Sequence, residues 1–265
     1  MINLIWMSDL HFAAEGDVLG HDPRIRLETA IDHINAHHSD AAMCVITGDM
    51  VNRGTHADYE GLRMRLDTLS VPYFPMVGNH DNQDLFRRVL PVPTNCMPGF
   101  IQYKVETSQG LIVCLDTQKD GADAGEFCEK RGNWLRETLK EAGTTPVYLF
   151  LHHPPMPLGL PMQDTENMEN GQNFLELISD FECLKYMFIG HVHRPITGTV
   201  GGIPFSTMRS ALYQAPPPRP EWSWDTFKPS SEAPNIGVIQ ITDSSVIMHY
   251  DQFCPYMTGV ELDKG

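Results

Sequence analysis

Twelve histidines occur in the 265-residue chain, and six of them stand at or just beyond short apolar runs: His11, His80, His152, His153, His191 and His193. Each belongs to a compact polar block. Asp9-Leu10-His11 follows the run from Ile2 to Met7, and Thr47-Gly48-Asp49 closes the run from Met43. Gly78-Asn79-His80-Asp81 follows Tyr73 to Val77, His152-His153 follows Val147 to Leu151, and Gly190-His191-Val192-His193 follows Met187 to Ile189. In an extended chain side chains alternate, so Asp-x-His and His-x-His each aim two donors at one face. The blocks together offer at least seven nitrogen and oxygen donors. That exceeds what a single four-coordinate zinc requires. It suits two cations bridged by a carboxylate, ~3.5–4 Å apart as in two-metal hydrolases. Mixed imidazole and carboxylate donors favour Fe, Mn, Zn or Co over Ca. Taken singly the blocks are weak, because Gly-Asp and Gly-Asn-His-Asp are also turn sequences. The inference rests on all of them in order, each ending a strand-like run.

The elements that must position these blocks are legible in outline. Arg24 to His37 follows a proline and has a roughly helical apolar period, and Tyr59 to Leu69, Asn133 to Glu141 and Asn173 to Ser179 also read as helices. Pro75 marks the run from Tyr73 as a strand end or an edge strand. Ile101 to Val105 and Leu111 to Leu115 read as a hairpin, and Ile203 to Thr207, Ile236 to Ile241 and Val246 to Tyr250 as further strands. Alternating strands and helices predict an α/β fold, and the late paired strands predict mixed rather than purely parallel sheets. In such sheets ligands bind at the carboxyl ends of strands, where the polar blocks fall. A single domain over 1–265 is expected, with a proline-rich arm or loop at about 214–235 that contains Pro216-Pro217-Pro218 and Pro220.

Lys and Arg total 19 against 34 Asp and Glu, a formal net charge of −15. That balance argues against a nucleic-acid polymer as partner, although bound cations could reverse the field locally. A hydrophobic fraction of 42% is that of a folded globular chain. No apolar run approaches the ~18–20 residues of a membrane span, so stable membrane insertion is not expected. The N-terminus lacks a basic segment and meets Asp9 at once, which does not resemble a signal peptide. The six cysteines are scattered without a CxxC, and a reduced, cytoplasmic setting is the simplest expectation.

The blocks Asp9-x-His11, Gly48-Asp49, Gly78-Asn79-His80-Asp81, His152-His153-Pro154 and Gly190-His191-Val192-His193 resemble the five motifs of the calcineurin-like metallophosphoesterases. The resemblance covers Ile2 to roughly Tyr213. It is strongest to the branch of class III cyclic-nucleotide phosphodiesterases and bacterial glycerophosphodiesterases, through Ser8-Asp9-Leu10-His11-Phe12, Gly48-Asp49-Met50-Val51-Asn52, His152 to Gly159 and Met168-Glu169-Asn170-Gly171. It implies a four-layer αββα sandwich and two divalent or trivalent metal ions. One ion would take Asp9, His11 and His193, the other Asn79, His152 and His191, with Asp49 as the bridge. It also implies hydrolysis of a small phosphodiester, a cyclic nucleotide or a glycerophosphodiester, by attack of metal-bound hydroxide. A phosphomonoesterase or a phospholipase C-like activity on phospholipid headgroups is the alternative. Asp49, Asn79 and His80 are the implied catalytic residues, with Asn79 and His80 also binding substrate and His80 as candidate proton donor to the leaving group. Asn52 departs from the Asp that related protein phosphatases carry, which weakens an Asp–His80 dyad.

Arg53 could hold a phosphate bidentately, and His21 could line the substrate pocket. His153 reads either as a support for a ligand or as part of the site wall. The loop from Met156 to Met168 is expected to shape the leaving-group pocket. His33, His37, His38 and His56 lie on or near helices and read as solvated faces. Trp222, Trp224 and Phe227 give the arm two readings: folding back on its own core, or packing on a second copy as a homo-oligomer.

Overall fold

The computed structural model describes residues 1–254; residues 255–265 of the expected 1–265 span lie outside the described residues. In chain order the elements are β1 (Ile2–Met7), α1 (Pro23–His37), β2 (Met43–Ile46), α2 (His56–Leu66), β3 (Tyr73–Pro75), α3 (Gln83–Val89), β4 (Tyr103–Thr107) and β5 (Gly110–Cys114). Then follow α4 (Glu129–Ala142), β6 (Val147–Leu151), α5 (Gly171–Ile178), β7 (Leu184–Ile189), β8 (Thr197–Val200), β9 (Ile203–Thr207), β10 (Asn235–Ile241) and β11 (Val246–Gln252). One sheet has the order β11-β10-β1-β2-β3, the other β4-β5-β6-β7-β9-β8. Both are mixed. β1, β2 and β3 run parallel while β10 pairs antiparallel with β1. β5, β6, β7 and β9 run parallel while β4 and β8 pair antiparallel at the two edges.

Strand alternation explains why these sheets stack. In β6, Tyr148 and Phe150 join the core shared with the first sheet, whereas Val147, Leu149 and Leu151 join a second core under α4 and α5. β5 divides in the same way, Ile112 and Cys114 inward, Leu111 and Val113 outward. Between the sheets Trp6 packs edge-on against Phe188 at 5.3 Å, and Phe188 stacks on Phe150 at 4.6 Å. The first sheet is covered on its other side by α1 and α2, through Leu27, Ala30, Ile31, Ile34, Tyr59, Leu62 and Leu66. The layers are therefore helix, sheet, sheet, helix, as expected. Fully burying each such Leu or Ile side chain contributes about 1.5–3 kcal/mol.

Helix starts carry local signals. Asp22 caps α1, accepting from the Arg24 and Ile25 N–H groups, with Pro23 at the first position. Thr55 and Asp58 form a capping box on α2. Two elements were not foreseen by periodicity: α3, a short helix capped by Asn82, and β8, whose residues are mostly exposed. Neither has an apolar stripe long enough to register. The arm is irregular apart from one 3₁₀ turn at Trp224–Thr226. It folds back on its own chain, held by the Arg194–Glu232 and Arg209–Glu232 ion pairs at 3.0 and 2.8 Å. The solvated-face expectation fails for His33 and His38. Both are half-buried, and each donates from Nε2 to Asp251 Oδ2 at 2.8 Å.

Candidate metal centre

The parallel strands of both sheets end at one edge, and the five polar blocks meet there. Cross-links between the loops set their relative positions. Asp9 N–H donates to Gly48 O at 3.2 Å, His11 N–H to Asp49 O at 2.9 Å, and Gly190 N–H to Leu151 O at 3.0 Å. His191 N–H donates to the Asp9 carboxylate at 3.1 Å, which ties the first sheet to the second. Asp81 gathers the loops after β2 and β3, accepting from Met50 N–H, Gly78 N–H and the Tyr59 hydroxyl.

The backbone at the donors is not extended. Among the described non-glycine residues, φ is positive at Asp9 (53°), His11 (41°), Leu19 (48°), Asp49 (48°), His191 (71°) and His193 (51°). Every one except Leu19 is a candidate ligand. The alternation argument for Asp-x-His and His-x-His is thereby corrected: left-handed turns, not strand geometry, converge these pairs. Such conformations cost about 1–3 kcal/mol each and persist where surrounding structure enforces them. Two glycines leave room for the result. A Cβ on Gly78 would stand 2.3 Å from Asp49 Oδ1, and one on Gly48 would stand 2.5 Å from His152 Nδ1.

Two groups of donors result. Asp9, His11, Asp49 and His193 have ligand atoms within 4.8 Å of one another. In the second group His152 Nε2 lies 3.1 Å from Asn79 Oδ1 and 3.2 Å from His191 Nδ1. Asp49 stands between them, with Oδ2 3.6 Å from His11 Nε2 and Oδ1 3.5 Å from His152 Nε2. Its other contact is the His80 N–H, at 3.0 Å. The tautomers follow from the outer partners, since a carbonyl only accepts. His193 Nδ1–H donates to Tyr213 O at 2.9 Å, so its Nε2 lone pair points inward. His152 Nδ1–H donates to Thr47 O at 2.7 Å, and its Nε2 faces inward to Asn79 Oδ1 and Asp49, acceptors that hold a proton there which a cation would displace. Lone pairs and carboxylates converge with no Lys or Arg among them, a donor set that fits cations.

The electrostatics describe the same surplus of acceptors. Burial pushes His11 down to about 3 despite the nearby Asp49. Burial and the neighbouring His152 lower His191 to about 3 as well. Burial opposes charge on His152 too, but the Asp49 and Asp9 carboxylates hold it up at about 9. Asp9 stays below its ordinary value because His193 and His152 outweigh its burial. His153 stands beside the second group, with a ligand atom within 4.8 Å of those of His152 and His191. Its Nδ1 accepts from Thr117 Oγ1 at 2.8 Å and its Nε2–H donates to Asp123 O at 3.1 Å, so both nitrogens are used. Its ring packs against His152 and His191 at 4.7 and 4.8 Å.

His80 stands exposed at the mouth, its Nδ1–H donating to the Asn52 backbone carbonyl at 3.1 Å. A main-chain carbonyl supplies this contact whatever the residue at 52, so the Asn52 departure removes no contact seen here. Burial lowers His80, but Asp49 and the Asn52 carbonyl carry it above its ordinary value. Arg53 lines a cleft of about 950 Å³ beside the centre, with Asn79, His80, Lys119 and Asp123. His21 lies elsewhere, its backbone paired with Val18, and lines neither this cleft nor the metal cavity. The Met156–Met168 loop and the arm both reach the cavity; sequence reasoning pointed to that loop but missed its Gln163 and Glu166, and it gave Tyr213, Trp224 and Phe227 no place at the site. Met162 and Met168 of that loop are buried packing instead. Burial and Asp123 raise Glu166 to about 7. The only signal for these roof residues was that both loops are long and irregular.

Two stacked mixed sheets with His and Asp clusters at their common edge define a metallophosphoesterase fold, and the chain belongs to the calcineurin-like phosphoesterase family, which it matches over residues 2–195. Among its relatives, a probable cyclic nucleotide phosphodiesterase of Rhodopseudomonas palustris is 36% identical over 217 residues, 80% of this chain and 79% of that one. A glycerophosphodiester phosphodiesterase of Enterobacter lignolyticus is 28% identical over 218 residues, 80% of this chain and 78% of that one. A dimetal phosphatase from Danio rerio has the same fold, with a TM-score of 0.74, 14% identity and 96% of each chain covered.

Proposed function

We propose that the protein is a phosphodiesterase with a dinuclear metal centre, and that Asp9, His11 and His193 hold one ion, Asn79, His152 and His191 the other, with Asp49 shared. The observation that carries this reading is Asp49, whose two oxygens face separate groups of inward-pointing nitrogens at 3.6 and 3.5 Å. Bound ions would neutralise the phosphoryl oxygens and bring the pKa of a bound water toward ~7. The chain's own residues supply the remainder. Asn79 places the diester against the centre. His80, with Nδ1–H engaged by Asn52 O, keeps Nε2 free to hand a proton to the departing alkoxide. Arg53 lies along the cleft where a second substrate group would run.

Of the two substrate classes named for the relatives, a cyclic nucleotide is favoured. The nearer of the two relatives described carries that name, and Tyr213, Phe227 and Trp224 are among the residues lining the cavity, aromatic side chains against which a base can pack. Fe, Mn, Zn and Co suit the donors alike. A cytoplasmic setting belongs to the same proposal and is supported by six free cysteines. The described residues contain no helix long and apolar enough to cross a membrane. Metal analysis of the purified chain, with assays on bis(p-nitrophenyl) phosphate and p-nitrophenyl phosphate, tests the class. Two ions per chain with preference for the diester are expected. Preference for the monoester would make it a phosphomonoesterase, and turnover without metal would end the proposal. Cyclic AMP, glycerophosphocholine and phosphatidylcholine then rank the substrates.

A further inference from the structure

We propose that His33, His38 and Asp251 form a second, superficial metal site, sharing no residue with the dinuclear centre, that takes a borderline divalent ion such as zinc. His33 lies on α1, His38 is the C-cap residue just beyond it, and Asp251 lies on β11. Their ligand atoms lie within 4.8 Å of one another. Both imidazoles point Nε2 at the same oxygen, Asp251 Oδ2, each at 2.8 Å. Two nitrogens and a carboxylate oxygen are the donor types zinc uses, and three protein ligands leave a position for water. The side chains are 19%, 20% and 36% exposed, so an ion can reach them from solvent. His37 is exposed beside them, its ring 4.8 Å from that of His33, and can swing in as a further ligand.

Without an ion each Nε2 must carry a proton, because the carboxylate only accepts. On binding, the Nε2 lone pair of each ring goes to the ion and the ring keeps a proton on Nδ1. Metal–ligand distances of about 2.0–2.2 Å place tetrahedral donors about 3.2–3.6 Å apart, so the 2.8 Å contacts must open slightly. Half-exposed side chains can do so by small torsional changes. Protons compete for the same nitrogens, so acid releases the ion. Structurally the ion would clip the edge strand β11, which among the described residues pairs with β10 alone, to the end of α1. An ion bound to the native state alone stabilises it by mass action.

The test uses the full-length protein and zinc as the probe. Crystals soaked in zinc should show an anomalous peak between His33, His38 and Asp251. Equilibrium dialysis should give one more zinc per chain for the wild type than for H33Q/H38Q, whose diesterase activity stays at the wild-type level. Asp251→Asn should weaken this extra site at least about tenfold, the lower end of what even outer partners of a metal ligand contribute. Asp49→Ala should leave the superficial peak in place. Equal zinc content in wild type and H33Q/H38Q, with anomalous density only at the dinuclear centre, would overturn the inference and leave the proposed function standing. A superficial peak with an empty centre would do the reverse.

Discussion

The two His–Asp clusters of this protein are built in opposite ways. At the strand ends Asp9, His11, Asp49 and His193 are almost fully buried and each sits on left-handed backbone. At α1 and β11, His33 and His38 belong to an ordinary helix end, and with Asp251 they remain partly open to water. In the first case folding has already spent strain and desolvation on holding acceptors together, so the cluster is preorganised for charge. In the second the geometry costs little and the proton arrangement satisfies every contact. Burial plus strain, more than residue type, separates a centre built for chemistry from one that can only bind.

The largest effect that could break this contrast comes from Asp49→Ala. Loss of the shared carboxylate removes several kcal/mol of charge stabilisation, so kcat on bis(p-nitrophenyl) phosphate should fall at least about a thousandfold. Circular dichroism should show an intact fold. Full activity in that variant would reduce the buried cluster to the status of the superficial one. Next in size is His80→Ala. An alkoxide leaving group should slow by about a hundredfold or more, the scale of general acid catalysis, while p-nitrophenolate slows far less. Equal slowing would make His80 a binding group only.

Glu166 sharpens the comparison through pH. Its carboxyl, raised to about 7 by burial and Asp123, is mostly protonated below that value and charged above it. A charged carboxylate at the roof repels an anionic diester, so KM should rise across the pH at which Glu166 ionises, a value that bound cations lower from about 7. About fivefold is expected, equivalent to about 1 kcal/mol between charges screened by water. Glu166→Gln should flatten that rise. The linked stability has its own sign: a folded pKa above the ordinary 4.5 means the native state holds the proton longer. Glu166 should therefore subtract stability from the metal-free protein between pH 4.5 and 7, read in thermal melts as a wild type that loses ground against the glutamine variant across that window. The smallest effect is expected from Glu232→Gln, which loosens the arm at its partly exposed pairs with Arg194 and Arg209. Pairs of this kind contribute up to about 1 kcal/mol, so KM should rise no more than about fivefold with kcat unchanged.

Much of the centre was legible because its donors are strand-terminal and differ sharply from the apolar runs before them. Asp9, His11, Asp49, Asn79, His152, His191 and His193 could be grouped from spacing and family resemblance alone, and the structure brings them to one edge. The reason first given for their convergence did not hold, since extended alternation is replaced by positive φ at Asp9, His11, Asp49, His191 and His193. Gly48 and Gly78 were the available clue, as the positions where a side chain would collide with His152 or Asp49. His21 was placed too near the site because loop membership carries no direction.

By itself the chain determined most of its strands, β8 excepted, and the strand-terminal blocks that carry the donors. All of these follow from local polarity and period, which short stretches of sequence carry in full. Tertiary structure alone decided which loops roof the cavity, which imidazole nitrogen faces inward, and that His33 and His38 meet Asp251 more than two hundred residues away in sequence. Those outcomes depend on contacts between distant segments, and a contact of that kind leaves no periodic trace in either partner.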